Sequence, residues 1–131
     1  MRIILFFTFL IFLSSCAKEE PLIDIVEFRD RYLTCDSIKT TVNGVERITV
    51  KGRGTGLDIT FDSSDYLNIF SVPQQQFIYI VRYSKIYYWQ ASSSLHDGDY
   101  FSIIDKTAKN LIIEHKEFAT NNRTIYYYTA Y

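Results

Sequence analysis

The chain has 131 residues, room for one domain, and 22% of them are charged with a net charge of −1. That balance supplies no positive field for gripping a phosphate backbone, so nucleic-acid binding is excluded as a main role. Two histidines and two cysteines leave few ways to build a metal or nucleophile site.

The first element is a leader. Met1-Arg2 carries one positive charge, and Ile3 to Leu13 is an apolar run interrupted only by Thr8. At about 1.5 Å of rise per residue this run reaches roughly half of a ~30 Å hydrocarbon core, too short for a permanent span and right for a secretory signal. Leu13-Ser14-Ser15-Cys16 follows and resembles the lipobox of bacterial lipoproteins. The resemblance implies that residues 1–15 are removed, that the Cys16 thiol carries a diacylglycerol, and that the new amine is acylated. One acyl chain holds a protein marginally and two or more hold it stably. The expected location is therefore the cell envelope, lipid-anchored to the outer membrane on its periplasmic face or at the cell surface. A plain secretory signal with a chance cysteine is the alternative.

Ala17-Lys18-Glu19-Glu20-Pro21 belongs to a polar tether, residues 16–24, and also resembles the surface-export tag of some Gram-negative lipoproteins. With Cys16 acylated, Cys35 has no disulfide partner, and it is expected to face inward as a small apolar residue. Ile25 to Leu33 carries helical spacing, with Ile25, Phe28, Arg29 and Tyr32 on one side, and predicts a short helix capping one end of the fold.

From there the chain reads as strands. All 11 tyrosines and the single tryptophan lie after the leader. Aromatic and β-branched residues suit a pleated, half-buried surface. Strands are predicted over 33–42, 45–51, 56–61, 66–71, 76–83, 86–92, 99–105, 110–118 and 123–130. Leu57, Ile59 and Phe61 alternate with Asp58 and Thr60, one oily face and one wet one; Phe77, Tyr79, Val81 and Tyr83 share a face. Asn43-Gly44 is the strongest hairpin signal, followed by turns at Asp62–Asp65, Val72–Gln75, Ser84-Lys85, Asp97-Gly98, Lys109-Asn110 and Asn121-Asn122. Connections this short imply an antiparallel meander. Gly52-Arg53-Gly54-Thr55-Gly56 reads as a bend joining 45–51 and 56–61 into one strand, which reduces nine strands to eight. Eight strands close into an up-and-down barrel with room for side chains or one small ligand. A β-sandwich and an open meander are the alternatives.

Tyr100 to Thr107, Asn110 to Glu114, Arg123 to Tyr131 and Gly56 to Phe61 together resemble the small lipocalin-like lipoprotein domains of bacteria. The resemblance spans residues 33–131 and implies a closed or nearly closed barrel, residues 25–131, with a ligand cavity. Tyr32-Leu33-Thr34-Cys35 replaces the glycine and tryptophan usual near the first strand, and Lys106 stands where a leucine is common.

No catalytic constellation emerges. His115 alternates in phase with Leu111 and Ile113, and His96 lies beside Asp97 and Asp99 in a solvated turn; neither belongs to a three-ligand metal set. The glycine-rich run lacks the spacing, lysine and following helix of a phosphate cradle. No cofactor is expected, and the reading is non-enzymatic. The positive feature is aromatic density, with Tyr79, Tyr88, Trp89, Tyr126 and Tyr128 as candidate ligand-binding residues. Alternation sends Tyr87 and Trp89 to one face and Tyr88 to the other, and sets Tyr126 and Tyr128 against Tyr127. Two functions follow: a barrel taking a small hydrophobic or amphipathic ligand, or a protein- or glycan-interaction module using exposed aromatics.

Overall fold

The computed structural model describes residues 22–90, 99–117 and 119–131. Nine strands follow a one-turn 3-10 helix at Val26–Phe28: β1 Tyr32–Val42, β2 Val45–Val50, β3 Ile59–Phe61, β4 Tyr66–Ile69, β5 Gln75–Arg82, β6 Lys85–Trp89, β7 Tyr100–Lys106, β8 Asn110–Lys116 and β9 Arg123–Ala130. Every strand pairing is antiparallel between neighbours. β9 also pairs with β1, from Leu33↔Ala130 to Thr41↔Arg123, and β1 pairs with β3. This closes an eight-strand barrel, β1 and β3–β9, with β2 as an additional strand. The closure excludes a sandwich and an open sheet.

β9 occupies one edge of β1 along nearly its whole length, so β2 and β3 must share the other: β3 takes Tyr32 and Leu33, β2 takes Ser37 to Val42. The two segments expected to form one bent strand therefore lie along one edge, split by the loop 51–58. Gly52, Gly54 and Gly56 all take positive φ there, and this breaks the strand at a length of only Ile59–Phe61. Asp58 departs from expectation: it is fully buried, not on a wet face, because the loop folds the Gly54 N–H onto the carboxylate and β1 adds the Cys35 N–H and the Tyr32 hydroxyl.

Local chemistry accounts for the turns. Asn43 and Gly44 have φ of 51° and 77°, as a two-residue hairpin between right-twisted strands requires. The β5–β6 turn falls on Tyr83-Ser84, both at positive φ, one residue earlier than Ser84-Lys85. Tyr83 thereby leaves the inward face of β5 and is 76% exposed.

One end of the barrel is plugged. The predicted helix shrinks to three residues, but its apolar side chains do the expected work, with Ile25 and Phe28 buried in the core. The plug is tied by Ile23 N–H to Ser84 Oγ (2.7 Å) and by Lys106 Nζ, which meets Asp24 (3.2 Å) and Glu27 (2.8 Å). Lys106 thus ties the plug to β7. Above it, Leu33, Cys35, Ile59, Phe61, Leu67, Tyr79, Ile86, Ile103, Leu111, Ile113 and Tyr128 fill the interior. Burying this much apolar surface is the main force holding the barrel.

Candidate functional site

Period-two alternation divides the aromatic residues between two surfaces. Inside, rings step around the wall from the open end into the core: Phe77 meets Tyr88 edge-on (5.4 Å), Tyr88 stacks on Phe101 (4.8 Å), Phe101 meets Tyr126 (5.9 Å), and Tyr126 stacks on Tyr128 (6.2 Å). Tyr128 donates its hydroxyl to the Leu57 carbonyl (3.1 Å), which pins the 51–58 loop to the far wall. Burial raises the Tyr126 pKa and lifts that of Tyr128 well above the ordinary tyrosine value. The space left among Leu57, Ile59, Phe61, Leu67, Ile69, Phe101, Ile113, Tyr126 and Tyr128 is about 70 Å³.

At the open end a polar chain sits on these rings. Asp99 accepts from Tyr88 Oη (2.9 Å), and its other oxygen lies 2.8 Å from His115 Nε2. Burial, then the bond to Asp99 and its charge, raise the Tyr88 pKa. Asp99 was expected beside His96 in a solvated turn; instead it bridges β6 and β8, and His96 lies outside the described residues. The phase of His115 with Leu111 and Ile113 signalled its inward placement, but no local motif links it to a residue sixteen positions earlier. Among the described residues no Ser, Thr or Cys donates to this imidazole, and no group of three or more His, Cys, Asp or Glu could hold a metal ion.

Outside, β6 pairs with β7 only over Lys85–Tyr87, and beyond it the strands part: the Tyr88 N–H to Asp99 carbonyl bond stretches to 3.4 Å. A cleft of about 390 Å³ opens on this wall, lined by Ile80, Arg82, Tyr83, Tyr87, Tyr88, Trp89 and Asp99. Tyr87 lies against Tyr100 at 5.4 Å, and Lys85 Nζ sits 4.6 Å over the Tyr100 ring. The cleft combines ring faces with one cation and one carboxylate.

The candidate ligand residues are therefore dispersed. Tyr88 and Trp89 line the outer cleft, Tyr126 and Tyr128 line the internal void, and Tyr79 is buried near the plug, packed on Phe61 at 5.1 Å. Cys35 is buried as expected, and burial followed by the charges of Asp58 and Asp36 pushes its thiol up to about 11, which keeps it protonated and inert. Cys16 and the leader lie outside the described residues. No described helix is long and apolar enough to cross a membrane.

Fold and site together define a small closed β-barrel with a side-chain-filled interior and an aromatic cleft on its outer wall. Compared with known proteins, the chain matches no family model, no curated protein and no solved structure.

Proposed function

We propose that this protein is a non-enzymatic, lipid-anchored binding module of the bacterial cell envelope, in which the lipocalin-like barrel is scaffold and the outer cleft of β5–β6 is the binding surface. The observation that carries the reading is the difference in room. A ligand pocket needs roughly 300–1,000 Å³; the outer cleft offers about 390 Å³ and the interior about 70 Å³. The cleft suits a ligand with flat apolar faces and a polar rim, such as a glycan: ring faces of Tyr87 and Trp89 for stacking, Arg82 and Asp99 for hydroxyls.

The chain holds a single tryptophan, so its emission reports on the cleft directly. Titrating cell-envelope glycan fragments should shift Trp89 emission saturably, and Arg82→Ala should weaken binding by roughly ten-fold, the loss of one good polar contact. A Trp89 signal unmoved by the whole panel would sink the reading.

The interior supports a second reading on one observation: its void is apolar, lined by Phe101, Tyr126 and Tyr128. A void of this size takes a group of a few heavy atoms, so a larger hydrophobic ligand would require Phe101 and Tyr126 to rotate aside. Xenon binding to the void, with no binding of longer alkyl chains, would confine the interior to packing.

A further inference from the structure

We infer that the plugged end of the barrel rests on the bilayer surface, with Leu22, Val26 and Tyr83 dipping into the headgroup region. The inference rests on the proposed acylation of Cys16.

Leu22, Val26 and Tyr83 are 71%, 64% and 76% exposed, large apolar side chains that the fold leaves in water. They are not scattered. Leu22 and Tyr83 line one depression with Asp24, Val81 and Arg82, and Val26 lines the adjoining one, which shares Asp24 and Val81. Single exposed apolar residues are ordinary, whereas a cluster marks a contact surface. A tyrosine with an apolar ring and polar tip suits the headgroup depth.

The occupant follows from where the chain leaves the barrel. Leu22 is six residues from Cys16, and at about 3.3–3.6 Å per extended residue the acylated end lies within about 22 Å of the plug. β1 runs from Tyr32 beside the plug to Val42 at the open-end hairpin, ten steps of about 3.3 Å, and with the ~35–45° tilt of barrel strands it stands roughly 25 Å tall. The short tether therefore holds the plugged end, not the open end, against the lipid. Lys106, 3.2 Å from Asp24 and 2.8 Å from Glu27, offsets one of the two acidic charges there and so lessens the repulsion from anionic lipid.

The test uses the lipidated mature protein in vesicles of phosphatidylcholine with a minor share of phosphatidylglycerol. An environment-sensitive fluorophore is placed at Val26→Cys or, as the distant control, at Asn43→Cys in the hairpin of the open end. The protonated, buried Cys35 stays unlabelled. Nitroxide-bearing lipids should quench the label at position 26 several-fold more than the label at 43, and adding Leu22→Asp with Tyr83→Asp should bring the two to the same level. Equal quenching at both positions in protein that floats with the vesicles would overturn the docking while leaving the anchor intact. Wild-type protein that fails to float would overturn the anchor, and the docking with it.

Discussion

Asp58 offers the sharpest test of how the barrel is held together. Its carboxylate is fully buried and accepts three hydrogen bonds: from Tyr32 Oη at 2.6 Å and Gly54 N–H at 2.7 Å on one oxygen, and from Cys35 N–H at 3.0 Å on the other. The guanidinium of Arg53 lies 5.2 Å over the Tyr32 ring above it. One acid thus joins β1 to the loop that separates β2 from β3. Asp58→Asn keeps the shape but replaces one acceptor oxygen with an NH2 group. Tyr32 can turn its hydroxyl to accept, whereas a backbone N–H cannot, so either orientation of the amide leaves Gly54 or Cys35 without an acceptor. The cost of one unsatisfied buried donor is about 1–3 kcal/mol. Asp58→Ala takes the acceptor from all three donors, at about 1–3 kcal/mol for each that stays out of reach of water.

For a domain of this size the asparagine variant should melt roughly 5–15 °C lower. Urea and thermal unfolding followed by circular dichroism measure the difference. Burial works to raise the Asp58 pKa, but the bonds from Gly54, Tyr32 and Cys35 and the charge of Arg53 outweigh it and hold the carboxyl below its ordinary value. A depressed carboxylate stabilises the fold above its unfolded pKa of about 4 and loses that contribution as pH falls through the folded value. The gap between wild type and Asp58→Asn should therefore narrow in acid. Tyr32→Phe should cost about 1 kcal/mol in the wild-type background and nearly nothing beside Asp58→Ala, since its partner is already gone. An asparagine variant within about 0.5 kcal/mol of wild type at neutral pH would refute the reasoning, because surface substitutions cost that much.

Two further outcomes are expected. In a Cys16→Ala chain, Cys35 should resist thiol reagents at pH 8 until the protein unfolds, since its thiol is buried and pushed up to about 11; prompt stoichiometric labelling of native protein would contradict this. Gly44→Ala should destabilise by about 1 kcal/mol in urea, because position 44 holds φ at +77°, where an L side chain is strained even though no atom lies within 4 Å of the added carbon; an unchanged unfolding midpoint would show that the hairpin relaxes freely.

The strand ladder was legible because alternation is a local signal. Tyr88, Tyr126 and Tyr128 point inward, and Tyr87 and Trp89 line the outer wall, as period two alone requires. Asn43-Gly44 likewise announced its own geometry. What escaped were contacts made across the barrel. Asp58 read as a solvent-facing residue because its neighbours Leu57 and Ile59 are apolar; its burial is tolerable because Gly54, four residues away, returns onto the carboxylate and Tyr32 and Cys35 of β1 meet it. Asp99 read as part of a turn with His96, and its partners Tyr88 and His115 come from two other strands. A pattern that reports which way a side chain points carries no information on what the opposite wall brings to meet it.

Filling the interior has a consequence for where binding falls. Had the inward positions of β6, β7 and β9 carried small residues, the barrel would enclose a usable cavity. Instead Tyr88, Phe101, Tyr126 and Tyr128 stack there and leave about 70 Å³. The larger space then lies on the outer wall, where β6 parts from β7 beyond Tyr87 and the cleft of about 390 Å³ opens. The β5–β6 hairpin spans both proposed surfaces, its turn at Tyr83 beside the plug and its far end at Trp89 near the open end. The docking proposed for the Tyr83 end would carry Trp89 away from the bilayer and turn the proposed cleft toward the aqueous side. The two proposed surfaces are compatible because they use opposite ends of this hairpin, Tyr83 with Leu22 beside the plug and Tyr87 with Trp89 toward the open end.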